Sequence, residues 1–75
     1  MLEKKIRLEA IDDVREFVQA ATRCNFDVDI SYNRMVIDAK SILGVMSLDR
    51  TKDLKVQYHT EDSEFEKVLS KFTVA

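Results

Sequence analysis

The chain has no proline, one glycine (Gly44), one cysteine (Cys24) and one histidine (His59) in 75 residues. A lone cysteine excludes an internal disulfide, and one cysteine with one histidine falls short of any zinc-ligand set. Cys24 reads as a small, half-buried residue near a helix end rather than a reactive thiol. Apolar residues run for at most three or four positions, too short for a membrane-spanning helix or the apolar core of a secretory leader. A cytoplasmic chain is expected. An excess of one charge is lacking too, since twelve basic and fourteen acidic side chains are interspersed and give a formal net charge of −2. Nucleic-acid affinity rests on clustered Lys and Arg that displace counterions, and no cluster here goes beyond Lys4, Lys5 and Arg7. Direct nucleic-acid binding is therefore not expected.

What is present is ordinary for a folded protein: 45% hydrophobic and 35% charged residues, far more apolar content than disorder tolerates. The length fits a single domain, 1–75, with no linker or repeat dividing it. A chain of this size buries only about 60% of the surface its unfolded form exposes, which leaves no room for a deep catalytic cleft. A small non-enzymatic module that acts through its surface, without a cofactor, is expected.

Periodicity gives the elements. Lys5-Ile6-Arg7-Leu8 alternates polar and apolar, the mark of a strand with one buried face. Asp12 and Asp13 can cap a following helix, and Asp13 with Glu16 has capping-box spacing. Ile11, Val14, Phe17, Val18 and Ala21 form the apolar stripe of that helix, which fades near Cys24 and Asn25, with Asn25 suited to a left-handed cap. Phe26, Val28, Ile30 and Tyr32 alternate with Asp27, Asp29 and Ser31; Asn33-Arg34 is a two-residue turn, and Met35-Val36-Ile37 completes a hairpin. Ser41 to Leu48 breaks the alternation and reads as a two-turn helix with Ser41 at its N-cap. Leu54, Val56 and Tyr58 make a fourth strand. Ser63 and Glu66 have capping-box spacing before a last helix with Phe65, Val68, Leu69 and Phe72 on its stripe. The order βαββαβα predicts an α+β open-faced sandwich, a four-stranded antiparallel sheet with three helices on one face.

The segment Lys40-Ser41-Ile42-Leu43-Gly44-Val45-Met46-Ser47-Leu48 carries the most information. Val45 and Leu48, with one of Ile42 and Leu43, can face the sheet; the remainder, with Met46, is left to point at solvent or at a partner. Exposed Met and branched aliphatics mark contact sites, but a thin domain also needs apolar side chains as core, and periodicity alone does not separate the two. A hydroxyl at position 41 faces the unpaired N–H groups of the first turn, where an anion is favoured by about 0.3–1 kcal/mol. Phosphate there would add about −1.5 to −2 charges beside the apolar patch.

This segment, through Asp49, resembles HPr, the small phosphocarrier family of the bacterial sugar phosphotransferase system. The likeness runs back without gaps through Tyr32-Asn33 to Val18-Gln19 and more loosely forward to the last helix. The resemblance implies that Ser41 is the regulatory serine modified by HPr kinase/phosphorylase, and that Ile42, Leu43, Met46 and Ser47 form the docking patch. It implies protein partners: that kinase, phosphotransferase-system enzymes, or a transcription regulator in carbon catabolite regulation. The chain departs from the family's Gly-x-His-Ala-Arg-Pro phosphoacceptor motif, for which Glu9-Ala10-Ile11-Asp12-Asp13-Val14 offers no His, Arg or Pro. Carboxylates at Glu9, Asp12 and Asp13 repel a phosphoryl group, at about 1 kcal/mol for unit charges ~4 Å apart in water and ~4 at an effective dielectric near 20. The hairpin differs as well, with Arg34-Met35 where the family has a small residue followed by Lys. A regulatory docking protein without histidine phosphotransfer is expected. Two alternatives stay open: an unconventional phosphocarrier using His59 or Asp13, and an interaction module that is never phosphorylated. In the HPr-like arrangement the start of the fourth strand, near Asp53, lies beside the end of the first, which leaves His59 remote from the shortened loop.

Overall fold

The computed structural model describes residues 1–49 and 51–74. Its elements are β1 (Leu2–Ile6), α1 (Ile11–Arg23), β2 (Val28–Tyr32), β3 (Met35–Asp38), α2 (Ile42–Met46), β4 (Leu54–Tyr58) and α3 (Ser63–Phe72). The strands form one four-stranded sheet in the order β1-β4-β2-β3, with each neighbouring pair antiparallel. Alternation along the strands does the sorting. Ile6, Val28, Ile30, Leu54, Val56 and Tyr58 point inward and are buried, whereas Glu3, Lys5, Asp29 and Lys55 remain exposed. The helices close the inner face: Val14, Phe17, Val18 and Ala21 of α1 join Phe65 and Leu69 of α3 and Val45 of α2 in a single core. Phe65 meets the rings of Tyr58 and Phe17 at centroid distances of 5.2 and 6.3 Å, within the range in which aromatic pairs attract. The expected open-faced α+β sandwich is the observed one.

Several local expectations need correction. The first strand spans Leu2–Ile6 rather than Lys5–Leu8, because β4 offers only Leu54–Tyr58 as partner and its ladder runs from Ile6 opposite Leu54 back to Leu2 opposite Tyr58. Beyond Ile6 the backbone turns to the C-terminal end: Arg7 N–H donates to the Phe72 carbonyl at 2.9 Å. Helix α1 starts one residue before Asp12, with Ala10 as N-cap. Asp13 is the N3 member of the box, its Oδ2 accepting from the N–H groups of Glu9 (3.3 Å) and Ala10 (3.2 Å). Ile11, at the first helical position, lies outside the buried stripe and is exposed. At the other end Cys24 caps α1 in an extended conformation, and among the described residues the only non-glycine with positive φ is Asn33 (54°), in the hairpin turn, not Asn25. The N-cap of α3 is Asp62, not Ser63; its carboxylate accepts from the N–H groups of Glu64 and Phe65, both at 3.0 Å. Glu66 is thereby freed to accept a hydrogen bond from the Tyr58 hydroxyl.

Candidate functional site on the second helix

Helix α2 is held at its start by a compact set of hydrogen bonds. Asp38 Oδ1 accepts from Lys40 N–H at 2.9 Å, and the Asp38 carbonyl accepts from Ser41 N–H at 3.0 Å. The Ser41 hydroxyl then accepts from Gly44 N–H at 3.2 Å, as an N-cap oxygen should. Lys40 Nζ donates to the Cys24 carbonyl at 3.0 Å, tying the lead-in of α2 to the end of α1. At the far end Ser47 Oγ donates to the Gly44 carbonyl at 2.6 Å. Gly44 is required by close approach: a Cβ there would lie 2.6 Å from Ile37 Cγ2 and 3.1 Å from Ser41 Oγ. With no side chain at 44, α2 rests directly on β3.

That seating decides which face is buried. Val45 and Leu48 enter the core. Neither Ile42 nor Leu43 joins them in full, contrary to expectation: Ile42 is 40% exposed, Leu43 80% and Met46 41%. In this five-residue helix Gly44 faces Ile37 of β3 and Val45 is the buried residue. Ser41, Ile42, Leu43, Met46 and Ser47 are consequently all solvent-facing on one short segment.

Next to Met46 lies an open depression of about 570 Å³ lined by Arg7, Glu9, Met46, Leu48, Asp49 and Thr51. It joins the α2 patch to the β1–α1 loop. Arg7 was not singled out by sequence reasoning as a site residue. Its Nε and Nη2 donate to Asp53 Oδ1 at 3.1 and 2.6 Å. The charge of Arg7 is thus largely spent on Asp53. Asp49, fully exposed, has its carboxyl held below the usual range by the hydroxyl and backbone N–H of Thr51.

The remaining candidates lie apart from this patch. His59 is exposed and follows Tyr58, which pairs with Leu2. That places it five strand positions, roughly 17 Å, from the Leu54 end where the β1–α1 loop begins. Cys24 is buried rather than half-buried, its Sγ donating to the Ala20 carbonyl at 3.4 Å. Burial, then the neighbouring Asp62 charge, push its thiol pKa up, so it stays protonated and inert. Among the described residues no group of His, Cys, Asp and Glu could hold a metal ion, and no helix is long and apolar enough to cross a membrane.

The strand order and the three helices define the open-faced sandwich seen in small phosphocarriers. An HPr-C-His from Thermoanaerobacter tengcongensis superposes with a TM-score of 0.73 at 24% identity, covering 95% of this chain and 89% of that one. A phosphocarrier protein HPr from Bacillus anthracis str. Ames gives a TM-score of 0.70 at 22% identity, with 95% of both chains covered. A family model described as the PTS HPr component phosphorylation site matches residues 13–74. The chain belongs to the HPr family of phosphotransferase-system components.

Proposed function

We propose that this chain, acting as one unit over 1–75, is a regulatory docking member of its family that receives phosphate on Ser41 and not on histidine. The observation that carries the reading is the juxtaposition on α2: an exposed hydroxyl at position 41 followed by the outward side chains of Ile42, Leu43 and Met46. In the transfer, Ser41 Oγ attacks the γ-phosphorus of ATP on HPr kinase/phosphorylase. The Oγ–P bond forms as the bond to the β,γ-bridging oxygen breaks, ADP leaves, and the hydroxyl proton passes to the kinase's base or to water. The product places about −1.5 to −2 charges beside the apolar patch. Lys40 already donates to the Cys24 carbonyl and Asp38 lies nearby with its own charge, so the new charge is poorly neutralised within the chain. Apolar docking to an acidic or neutral partner is weakened, and docking to a basic one is favoured. The partner is a phosphotransferase-system protein or a transcription regulator.

Histidine transfer lacks its setting. The loop between β1 and α1 and the first turn of α1 present Glu9, Asp12 and Asp13, and His59 sits at the opposite end of β4. Asp13, the other alternative acceptor, spends its carboxylate on two backbone N–H groups. Incubation with HPr kinase and ATP, followed by tandem mass spectrometry, tests the proposal. Phosphate on Ser41, absent from Ser41→Ala, is expected. An unmodified Ser41, or an acid-labile phosphoprotein formed instead from enzyme I and phosphoenolpyruvate, would refute it.

A further inference from the structure

The two edges of the sheet are treated differently. At the β1 edge, Val74 N–H donates to the Lys5 carbonyl at 3.0 Å and Thr73 bridges to Ile6, so the C-terminal segment covers half of the strand. The uncovered half carries Glu3 and Lys4, charges of the kind that keep edges from pairing. Beyond the β3 edge no strand lies among the described residues, and Met35 and Val36 are 50% and 61% exposed.

The register of the hairpin says which backbone groups are free. Across a two-residue turn the flanking pair, Tyr32 with Met35, exchanges both hydrogen bonds, and the next bonded pair is Ile30 with Ile37. The N–H and C=O groups of Val36 and Asp38 therefore point away from β2, and the Asp38 carbonyl is already taken by Ser41 N–H. These residues read Arg34-Met35-Val36-Ile37-Asp38: a cation, three apolar residues and an anion. An antiparallel copy of this string centred on Val36 sets Arg34 against Asp38, Met35 against Ile37, and Val36 against itself. Shifting the register by two residues keeps the backbone parity but loses both charge pairings. Arg34 is exposed and has no ion-pair partner among the described residues.

We infer that β3 is a self-association edge, pairing antiparallel with β3 of a second copy about a twofold axis at Val36. The two sheets then join into one of eight strands. Backbone bonds at the Val36 pair are flanked by two symmetric Arg34–Asp38 contacts on the open face, and Met35 packs on the partner's Ile37 on the helix face. Such an isologous contact satisfies the same groups on both copies. The contact is short, so the dimer is weak, with Kd on the order of 100 µM, as befits an interface below standard size.

Sedimentation velocity on the full chain from about 10 µM to 1 mM at low ionic strength reads the association over the range this affinity requires. A monomer–dimer equilibrium is expected. Arg34→Asp and Asp38→Arg each weaken it by about tenfold or more through like-charge contact, and an equimolar mixture of the two variants recovers a mixed dimer. Circular dichroism confirms that each variant is folded; because Asp38 also accepts from Lys40 N–H, Arg34→Asp alone still decides if Asp38→Arg is impaired. A protein that stays monomeric throughout, a dimer indifferent to Arg34→Asp, or a mixture of two folded variants that associates no better than either alone would overturn the inference.

Discussion

At the residue scale, the chemistry of α2 turns on two side chains and one missing side chain. Ser41 Oγ satisfies a single N–H at a solvent-exposed cap, so Ser41→Ala is expected to cost about 0.5–1 kcal/mol in chemical denaturation, the low end for a lost cap. Gly44→Ala gains about 1 kcal/mol of helix propensity. It also drives a methyl group into Ile37 Cγ2 at 2.6 Å, where the branched Ile37 side chain is stiff and half-buried. Overpacking of this kind costs about 1–3 kcal/mol, so a net loss in thermal stability is expected; a gain would mean that α2 is not seated on β3 as described. The cap at Ser41 was legible because a hydroxyl directly precedes a break in strand alternation. The cap of α3 was misassigned by one residue because Asp62 and Ser63 are both capable. A carboxylate that reaches two N–H groups is the stronger acceptor, and Asp62 is the residue that reaches them.

At the scale of the element, α2 is a helix whose inner line is core and whose outer line is surface. Leu43→Asp and Met46→Asp alter exposed positions, and melting temperatures within a few degrees of the parent are expected, corresponding to about 1 kcal/mol or less. Binding of a protein partner to α2 should be lost in both. A collapse of folding in Met46→Asp would place that side chain in the core and remove the docking face. Sequence periodicity could not settle this question, since five residues give little more than one turn and either side of the helix could have been inner. The contact with β3, possible only at a glycine, sets the rotation. The first strand shows the opposite limit. Lys4 occupies an inward-side position on an edge strand, opposite Val56, which spoils the alternation over Leu2–Lys5 and shifts the apparent strand to Lys5–Leu8. Even so, Ile6 and Leu8 were correctly taken as inward and are buried.

For the whole molecule, the pairing of Tyr58 with Glu66 links the sheet to α3 and makes stability pH-dependent in the alkaline range. Burial first, then the hydrogen bond to Glu66, raise the pKa of Tyr58 well above the tyrosine value. The folded state thus holds this proton more tightly than the unfolded state does. Its contribution is fully present below the unfolded value of about 10 and is lost as the pH rises from there toward the folded value. Urea titrations between about pH 8 and pH 11 should show a steeper loss of stability in the parent than in Tyr58→Phe. The variant should itself be about 1–2 kcal/mol less stable at neutral pH because Glu66 loses its partner. Equal slopes would mean that the hydroxyl is not held as described. The global arrangement was readable from the order of elements and the inward alternation of β2 and β4. The use of Arg7 was not, because its partner Asp53 is distant in sequence and the contact exists only once β1 and β4 are in register.

The claim that α2 is the working surface is tested most directly by titrating the uniformly ¹⁵N-labelled chain with HPr kinase/phosphorylase and following its amide resonances. Shifts and line broadening are predicted at Ser41, Ile42, Leu43, Met46 and Ser47, fading across the depression toward Arg7. Perturbations centred on the outer faces of α1 and α3 or on the open face of the sheet, or none at saturating kinase, would contradict it.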